Sequence, residues 1–182
     1  PFGSHFRVVG KNALVVGGGI GTAPLFMLVT KLLNNGVKTT IIEGAKTRSE
    51  ILFHDQLLAL HDKRGLKVMF TTEDGSYGTK GVVTEAAEKC LSEEKFDSMY
   101  VCGKEAMIRE LYFLAEKHGI QMQASLERII RCAMGICGSC VIGRYRVCKD
   151  GPVFDSSQLR EISIELGKFQ RNFRGERIPI EN

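Results

Sequence analysis

Four cysteines crowd one short stretch of this chain: Cys132, Cys137 and Cys140 form a C-x4-C-x2-C run, and Cys148 follows after seven residues. Thiolates in that order suit an iron–sulfur centre, and four of them hold a 2Fe-2S cluster. Gly135, Gly138 and Ser139 lie between the thiols, where a backbone with few Cβ atoms folds tightly and aims N–H groups at sulfide. A structural zinc site is the competing reading, yet zinc sites of four cysteines usually pair two short knuckles, whereas here three thiols run together and one stands alone. Unligated thiols are the remaining alternative. Disulfides are disfavoured, because nothing else in the sequence points to an oxidising compartment.

A second chemistry is written in Gly17-Gly18-Gly19-Ile20-Gly21-Thr22-Ala23-Pro24, which follows an apolar β-branched run. Glycines between a strand and a helix let the backbone approach a pyrophosphate, and the helix N-terminus adds N–H donors and partial positive charge. A glycine turn that only tightens strand–helix packing is the plainer alternative. Pro24 suits a first helical turn, and Thr22 offers either a hydroxyl to the ligand or a simple helix cap. Two further strand ends complete a crevice: Thr72, Glu73 and Asp74 after one, Cys102 and Gly103 after another. Glu73 and Asp74 would accept bonds from ribose hydroxyls and repel a 2′-phosphate, which favours NAD over NADP. Cys102 is a candidate neighbour of the nicotinamide, against the alternative of a small buried thiol. Cys90, on an expected helix, is assigned to that second class.

These residues require an α/β frame. Strands are expected near 13–17, 38–43, 67–71, 98–102 and 120–124, giving a five-stranded parallel, Rossmann-like sheet. Helices are expected over 24–35, 49–62, 82–91 and 104–118, the second with Ile51, Leu52, Leu57, Leu58 and Leu60 inward and the last stopped by Gly119. Beyond Ser125 the pattern gives way to the cysteine loop, a short helix around 156–162 and a polar tail. The domain expectation is therefore a linker at 1–10, a nucleotide domain at 11–124, and a cluster domain with tail at 125–182.

The chain has 182 residues, 43% of them hydrophobic, which suits a globular protein. Its longest apolar stretches, 13–16 and 25–29, are far shorter than the roughly 20 residues of a membrane span, and no signal peptide is visible. A formal charge of +4 is mild; Lys168, Arg171, Arg174 and Arg177 in the tail read as a solvated face, so neither nucleic acid nor membrane is an expected partner. The expected location is the cytoplasm. His5, His54, His61 and His118 read as surface or capping residues.

In combination, the glycine segment 15–25, the stretch 71–81, Cys102-Gly103, Ser125-Leu126-Glu127, the four-cysteine loop and the segment 147–154 resemble the electron-transfer subunit of NAD-dependent dihydroorotate dehydrogenase, a family of the ferredoxin–NADP reductase superfamily. The resemblance spans nearly the whole chain. It implies a nicotinamide domain of the ferredoxin reductase C-terminal type and a small 2Fe-2S cysteine-loop domain, both preceded by a flavin-binding barrel. No Arg-x-(Tyr/Phe)-(Ser/Thr) flavin motif occurs here, and Pro1-Phe2-Gly3 resembles the linker leaving that barrel, so FAD is expected to be held mainly outside this sequence. Lys104 departs from the superfamily, which usually has proline after Cys-Gly. The short gap before Cys148 resembles related subunits of sulfhydrogenases and anaerobic sulfite reductases, the nearest alternative. A non-enzymatic nucleotide-responsive redox or metal sensor is the alternative of another class.

What the resemblance implies is an oxidoreductase subunit, inactive on dihydroorotate alone. It would pass electrons from NADH through FAD and the cluster on Cys132, Cys137, Cys140 and Cys148 to the FMN of a catalytic subunit, in a heterotetramer serving pyrimidine biosynthesis. Met134, Ile136 and Val141 beside the thiols either meet that partner or pack inward to keep water from the cluster.

Overall fold

Alternating apolar runs and amphipathic segments fold into a sheet with helices on both faces. The computed structural model describes residues 3–180, without the side chains at 62 and 63; Pro1 and Phe2 of the expected linker lie outside the described residues. In chain order the elements are β1 (Asn12–Gly18), α1 (Thr22–Asn34), β2 (Lys38–Ala45), α2 (His54–Arg64), β3 (Lys67–Thr72), β4 (Thr79–Lys80), α3 (Val83–Glu93), β5 (Ser98–Cys102), α4 (Glu105–His118) and β6 (Gln121–Ser125). The cysteine region adds β7 (Val141–Ile142), β8 (Tyr145–Arg146), α5 (Val147–Asp150), β9 (Val153–Asp155) and α6 (Ser156–Ile162). A hairpin of β10 (Phe169–Arg171) and β11 (Arg177–Pro179) ends the described chain.

The main sheet runs β4-β3-β2-β1-β5-β6-β9. Its five central strands are the five expected ones, all parallel, while β9 lies antiparallel to β6 with Val153 opposite Ser125. Strands β4 and β9, of two and three residues, are too short to show any periodicity, so the sheet is wider than its sequence pattern suggested. Successive residues of β1 feed opposite faces. Ala13 and Val15 pack with Leu25, Val29 and Leu57 under α1 and α2, whereas Leu14 and Val16 join Ala87, Ile108 and Leu111 from α3 and α4. Cys140, Cys148, Phe154 and Leu159 belong to that second cluster, so the cysteine region shares a core with the sheet.

Two expectations need correction. The second helix starts at His54 instead of 49, because Phe53 takes a left-handed conformation (φ 54°) and 48–50 forms a separate 3-10 turn. Leu57 alone of its five named apolar residues is fully buried; Ile51, Leu58 and Leu60 are half-buried against the core. The tail is ordered into a hairpin whose strands pair Phe169 with Pro179 and Arg171 with Arg177. The expected linker and the start of β1 are stitched to the sheet: the Arg7 and Val9 N–H groups of the linker donate to Gln123 Oε1 and Tyr100 Oη, and just beyond it Asp97 accepts from the Lys11 and Asn12 N–H groups.

Candidate nucleotide cleft and metal centre

Strand β1 pairs with β2 on one side and β5 on the other, and the chain leaves its two neighbours in opposite directions. A crevice therefore opens beyond the carboxyl ends of the strands, where α/β sheets bind ligands. The glycine segment lies there as a short 3-10 turn, Gly19–Gly21, running into the 13-residue α1. Close approach makes Gly21 obligatory and crowds Gly18 against a flexible side chain. A Cβ on Gly21 would fall 2.5 Å from the Cys102 carbonyl oxygen and 2.6 Å from the Gly103 nitrogen, and one on Gly18 would fall 2.7 Å from Met107 Sδ. The turn at β1 and the turn at β5 thus fit together as backbone against backbone. Gly19 faces open space at φ +54°, leaving room for a ligand against the main chain.

A cleft of about 460 Å³ adjoins this junction, a volume typical of small-molecule sites. Gly18, Gly19, Ile20, Glu73 and Lys104 line it, together with Lys46, Glu50 and Met107, which the sequence did not single out. Thr72 and Asp74 do other work. The Thr72 hydroxyl donates to the Tyr77 carbonyl and accepts from the Tyr77 N–H, while Asp74 accepts from the Ser76 N–H and hydroxyl, which hold its carboxyl below the usual range. They shape the 72–78 turn, and Glu73 is the member of that triplet facing the cleft. Gly17 is buried with Thr22 Oγ1 packed over it, while Ala23 is half-buried and Pro24 exposed in the first turn of α1. Thr22 is fully buried, and its hydroxyl finds no partner among the described residues. Cys102 is half-buried beside Gly17, and burial raises its thiol pKa. Cys90 is a buried core thiol against Met69, as expected. His54 is more than a surface residue: its Nε2 meets Tyr77 Oη at 2.8 Å and its ring packs on Phe70.

Glu43, also unforeseen, sits on β2 level with Gly17. It is fully buried, one carboxylate oxygen accepting from the Leu52 N–H and the other without a partner among the described residues. Burial pushes its carboxyl up to about 7, the Leu52 bond opposing only in part.

The cysteine loop is built from local bonds. Ala133 takes φ 58°, turning the chain just after Cys132. The Ile136 and Cys137 N–H groups both lie 3.4 Å from Cys132 Sγ, and N–H donors from Cys137, Met134 and Ile136 bring that thiol down to about 6. The Ser139 hydroxyl lowers Cys137 likewise, whereas burial raises Cys148. Backbone contacts link the thiols as two pairs: the Cys137 N–H lies 3.4 Å from Cys132 Sγ and the Cys148 N–H 3.5 Å from Cys140 Sγ. Among the described residues no three His, Cys, Asp or Glu side chains converge as the shell of a single ion. Two thiol pairs, with N–H donors already aimed at sulfur, fit a two-iron cluster held by two cysteines on each iron. Arg146 braces the loop by donating to the Gly135 carbonyl at 2.9 Å. Met134 and Ile136 point outward, 67% and 78% exposed, and Val141 is half-buried.

A buried ion pair joins the two sites. Arg128, in the segment leading to Cys132, donates from Nε to Glu105 Oε1 at 2.5 Å and from Nη2 to Oε2 at 2.7 Å, the side chains being 2% and 5% exposed. Its third nitrogen donates to the Phe169 carbonyl at 2.7 Å, and the Gly167 N–H donates to Glu105 Oε2 at 3.1 Å. One guanidinium thereby fastens the β5–α4 turn, the cysteine segment and the terminal hairpin.

Comparison with known proteins finds two matching families. The family "Oxidoreductase NAD-binding domain" matches residues 15–112, and "Iron-sulfur cluster binding domain of dihydroorotate dehydrogenase B" matches residues 127–160. A curated relative from Methanocaldococcus jannaschii, named "Probable dihydroorotate dehydrogenase B (NAD(+)), electron transfer subunit", is 39% identical over 98% of this chain and 68% of its own length. A relative of the same name from Pyrococcus furiosus is 37% identical over 99% of this chain and 68% of its own. The chain thus spans about two thirds of the length of these relatives. A solved NADH-dependent reduced ferredoxin-NADP oxidoreductase superposes with TM-score 0.74 at 29% identity, over 87% of this chain and 57% of that one. The cytochrome b5 reductase domain of Ulva prolifera nitrate reductase shares the fold alone, with TM-score 0.50 at 21% identity over 60% of this chain and 45% of that one.

Proposed function

The chain belongs to the family of dihydroorotate dehydrogenase B electron-transfer subunits, and from that premise we propose that it is an oxidoreductase subunit carrying electrons from NADH, by way of FAD and a 2Fe-2S cluster, to the FMN of a dihydroorotate dehydrogenase catalytic subunit. The observation that carries the reading is the common body of the two sites: the cysteine loop buries Cys140 and Cys148 in the core of the sheet that carries the glycine-turn cleft, and Arg128 and Glu105 clasp the two together. The relatives matched over nearly the full chain are named for this subunit, which favours it over the sulfhydrogenase, sulfite reductase and sensor alternatives.

When bound, the flavin and the cluster supply the two-electron and one-electron chemistry. The chain's own residues bind, orient and exclude water. Gly18, Gly19 and the first turn of α1 receive the dinucleotide as backbone donors, and Glu73 accepts from the adenosine ribose. Thr72 and Asp74 hold the turn that presents Glu73. Cys102 and Gly103 border the nicotinamide end, and Thr22 offers, beside Gly17, a buried hydroxyl without a partner among the described residues. Cys132, Cys137, Cys140 and Cys148 ligate the cluster, two of them shielded inside the core. Met134 and Ile136 form an apolar rim suited to the catalytic subunit, with which we expect a heterotetramer. FAD would be held mainly by residues outside this sequence. No helix among the described residues is long and apolar enough to cross a membrane, and four cysteines kept as thiolate ligands suit a reducing compartment such as the cytoplasm.

The test is anaerobic reconstitution with iron and sulfide, followed by visible and EPR spectra after dithionite. About two irons per chain and a rhombic S = 1/2 signal are expected of a 2Fe-2S centre on four thiolates. Zinc retained by the same cysteines, with no EPR signal, would end the electron-transfer reading.

A further inference from the structure

Charge is divided unevenly along the cleft. At its β2–β3 end Lys46 is accompanied by two carboxylates, Glu50 and Glu73, and the Lys46 N–H itself is capped by Glu50 Oε2. At the opposite end, where the glycine turn meets the β5–α4 turn, Lys104 is the one cation lining the cleft among the described residues, and Glu110, further along α4, is the carboxylate on that side. Its position is fixed closely. Gly103, immediately before it, packs its backbone on Gly18: a Cβ on Gly103 would fall 3.3 Å from the Gly18 nitrogen. Lys104 itself is exposed and caps α4, so its backbone sits at the α4 N-terminus, next to the glycine turn that opens α1. It also borders the neighbouring cavity of about 430 Å³ lined by Gly103, Glu127 and Ile129.

The nearest carboxylate in sequence, Glu105, would cancel that field if it faced the cleft. It is instead buried and neutralised by Arg128 through two hydrogen bonds. With that carboxylate turned away, the groups beside the glycine turn are the α1 N-terminus and Lys104, while Glu110 lines the cleft further along α4, a combination that favours a phosphate-bearing anion at the glycine turn itself.

We propose that Lys104 is a specificity-determining residue that pairs with the pyrophosphate of an adenine dinucleotide lying on Gly18 and Gly19. The proposal rests on the cleft being a dinucleotide site and adds to it the cation that recognises the bridge between the two nucleotides. A lysine suits this place because a point charge on a flexible stem follows a phosphate without needing the fixed geometry of a guanidinium.

The experiment titrates the full chain with NADH, ADP-ribose, FAD and adenosine by calorimetry, comparing wild type with Lys104→Met and Lys104→Arg. Lys104→Met should weaken ADP-ribose and NADH about tenfold, as the loss of one charge-assisted hydrogen bond predicts, and leave adenosine, which lacks the pyrophosphate, unchanged. Lys104→Arg should restore most of the affinity, and raising the ionic strength should narrow the gap between wild type and Lys104→Met. An effect on NADH but not on FAD assigns the pyrophosphate to the nicotinamide dinucleotide; the reverse assigns it to the flavin. Equal affinity of wild type and Lys104→Met for every pyrophosphate ligand, or an equal loss for adenosine, would overturn the role of Lys104 alone. Failure of the wild type to bind any of them would overturn the dinucleotide cleft itself. Thermal unfolding of the variants guards the comparison, and an exposed side chain at this position should leave it unchanged.

Discussion

The nucleotide cleft and the cysteine loop solve the problem of holding a cofactor in opposite ways. In the cleft the working atoms belong to the main chain: room for the ligand exists because Gly18 and Gly19 carry nothing, and the bare Gly21 lets the β1 and β5 turns pack backbone to backbone. In the loop the working atoms are side-chain sulfurs on irregular backbone, held by N–H groups from residues only four or five positions away. The first site is destroyed by adding atoms and the second by removing them. Each should therefore fail without the other, unless the clasp between them is cut.

The sharpest test of that independence is Cys140→Ser, which should abolish the EPR signal and reduce iron far below about two per chain while leaving NADH binding at the wild-type value by calorimetry. Arg128→Met should break the independence, because it strands Glu105 as a buried charge and frees both the cysteine segment and the hairpin. About 3–5 kcal/mol of stability should be lost, read from denaturant unfolding, with cluster yield and NADH affinity falling together. Gly21→Ala is the mirror of the cysteine change. Its methyl group would meet backbone of Cys102 and Gly103, so about 3 kcal/mol and at least about tenfold in NADH affinity should go, with the EPR signal kept.

A pH series sharpens the comparison from the cleft side. Glu43 is raised from its ordinary value to about 7 by burial, so the folded state holds its proton more tightly than the unfolded chain. Its favourable contribution is fully present below the unfolded pKa, declines as pH rises through the window up to about 7, and is gone above it. Glu43→Gln should thus add about 2 kcal/mol at pH 8 and almost nothing at pH 4 in urea titrations. The smallest effect is expected on the cysteine side, at Asp155, whose side chain caps α6 through the Ser157 and Gln158 N–H groups. Asp155→Ala should cost about 1 kcal/mol in thermal unfolding and spare both cofactors.

What could be read without coordinates was what is local. The run Cys132, Cys137, Cys140 and Cys148 states its chemistry in spacing, and Gly17–Pro24 states a strand-to-helix turn, because both are set by contacts within a few residues. The five central strands were legible for the same reason: runs such as 13–17 and 98–102 are apolar enough to require burial on two faces. The short edge strands β4 and β9 exist only because a longer neighbour offers hydrogen bonds, as Val153 finds opposite Ser125. The start of α2 was misplaced because the left-handed Phe53 has no signature in residue type.

The division of labour among charged residues belongs wholly to the tertiary structure. Nothing in sequence says that Glu73 faces the cleft while Asp74 caps its own turn, or that Glu43 is buried. Nor does the sequence say that Glu105 and Arg128, 23 residues apart, close on each other beneath the surface and leave Lys104 beside the glycine turn. A charged side chain takes its role from which groups remain near it once water is excluded, and that is decided only when distant segments pack. The sequence by itself determined which chemistry the chain carries; the packing of β5, α4 and the cysteine segment decided which residues are left to steer it.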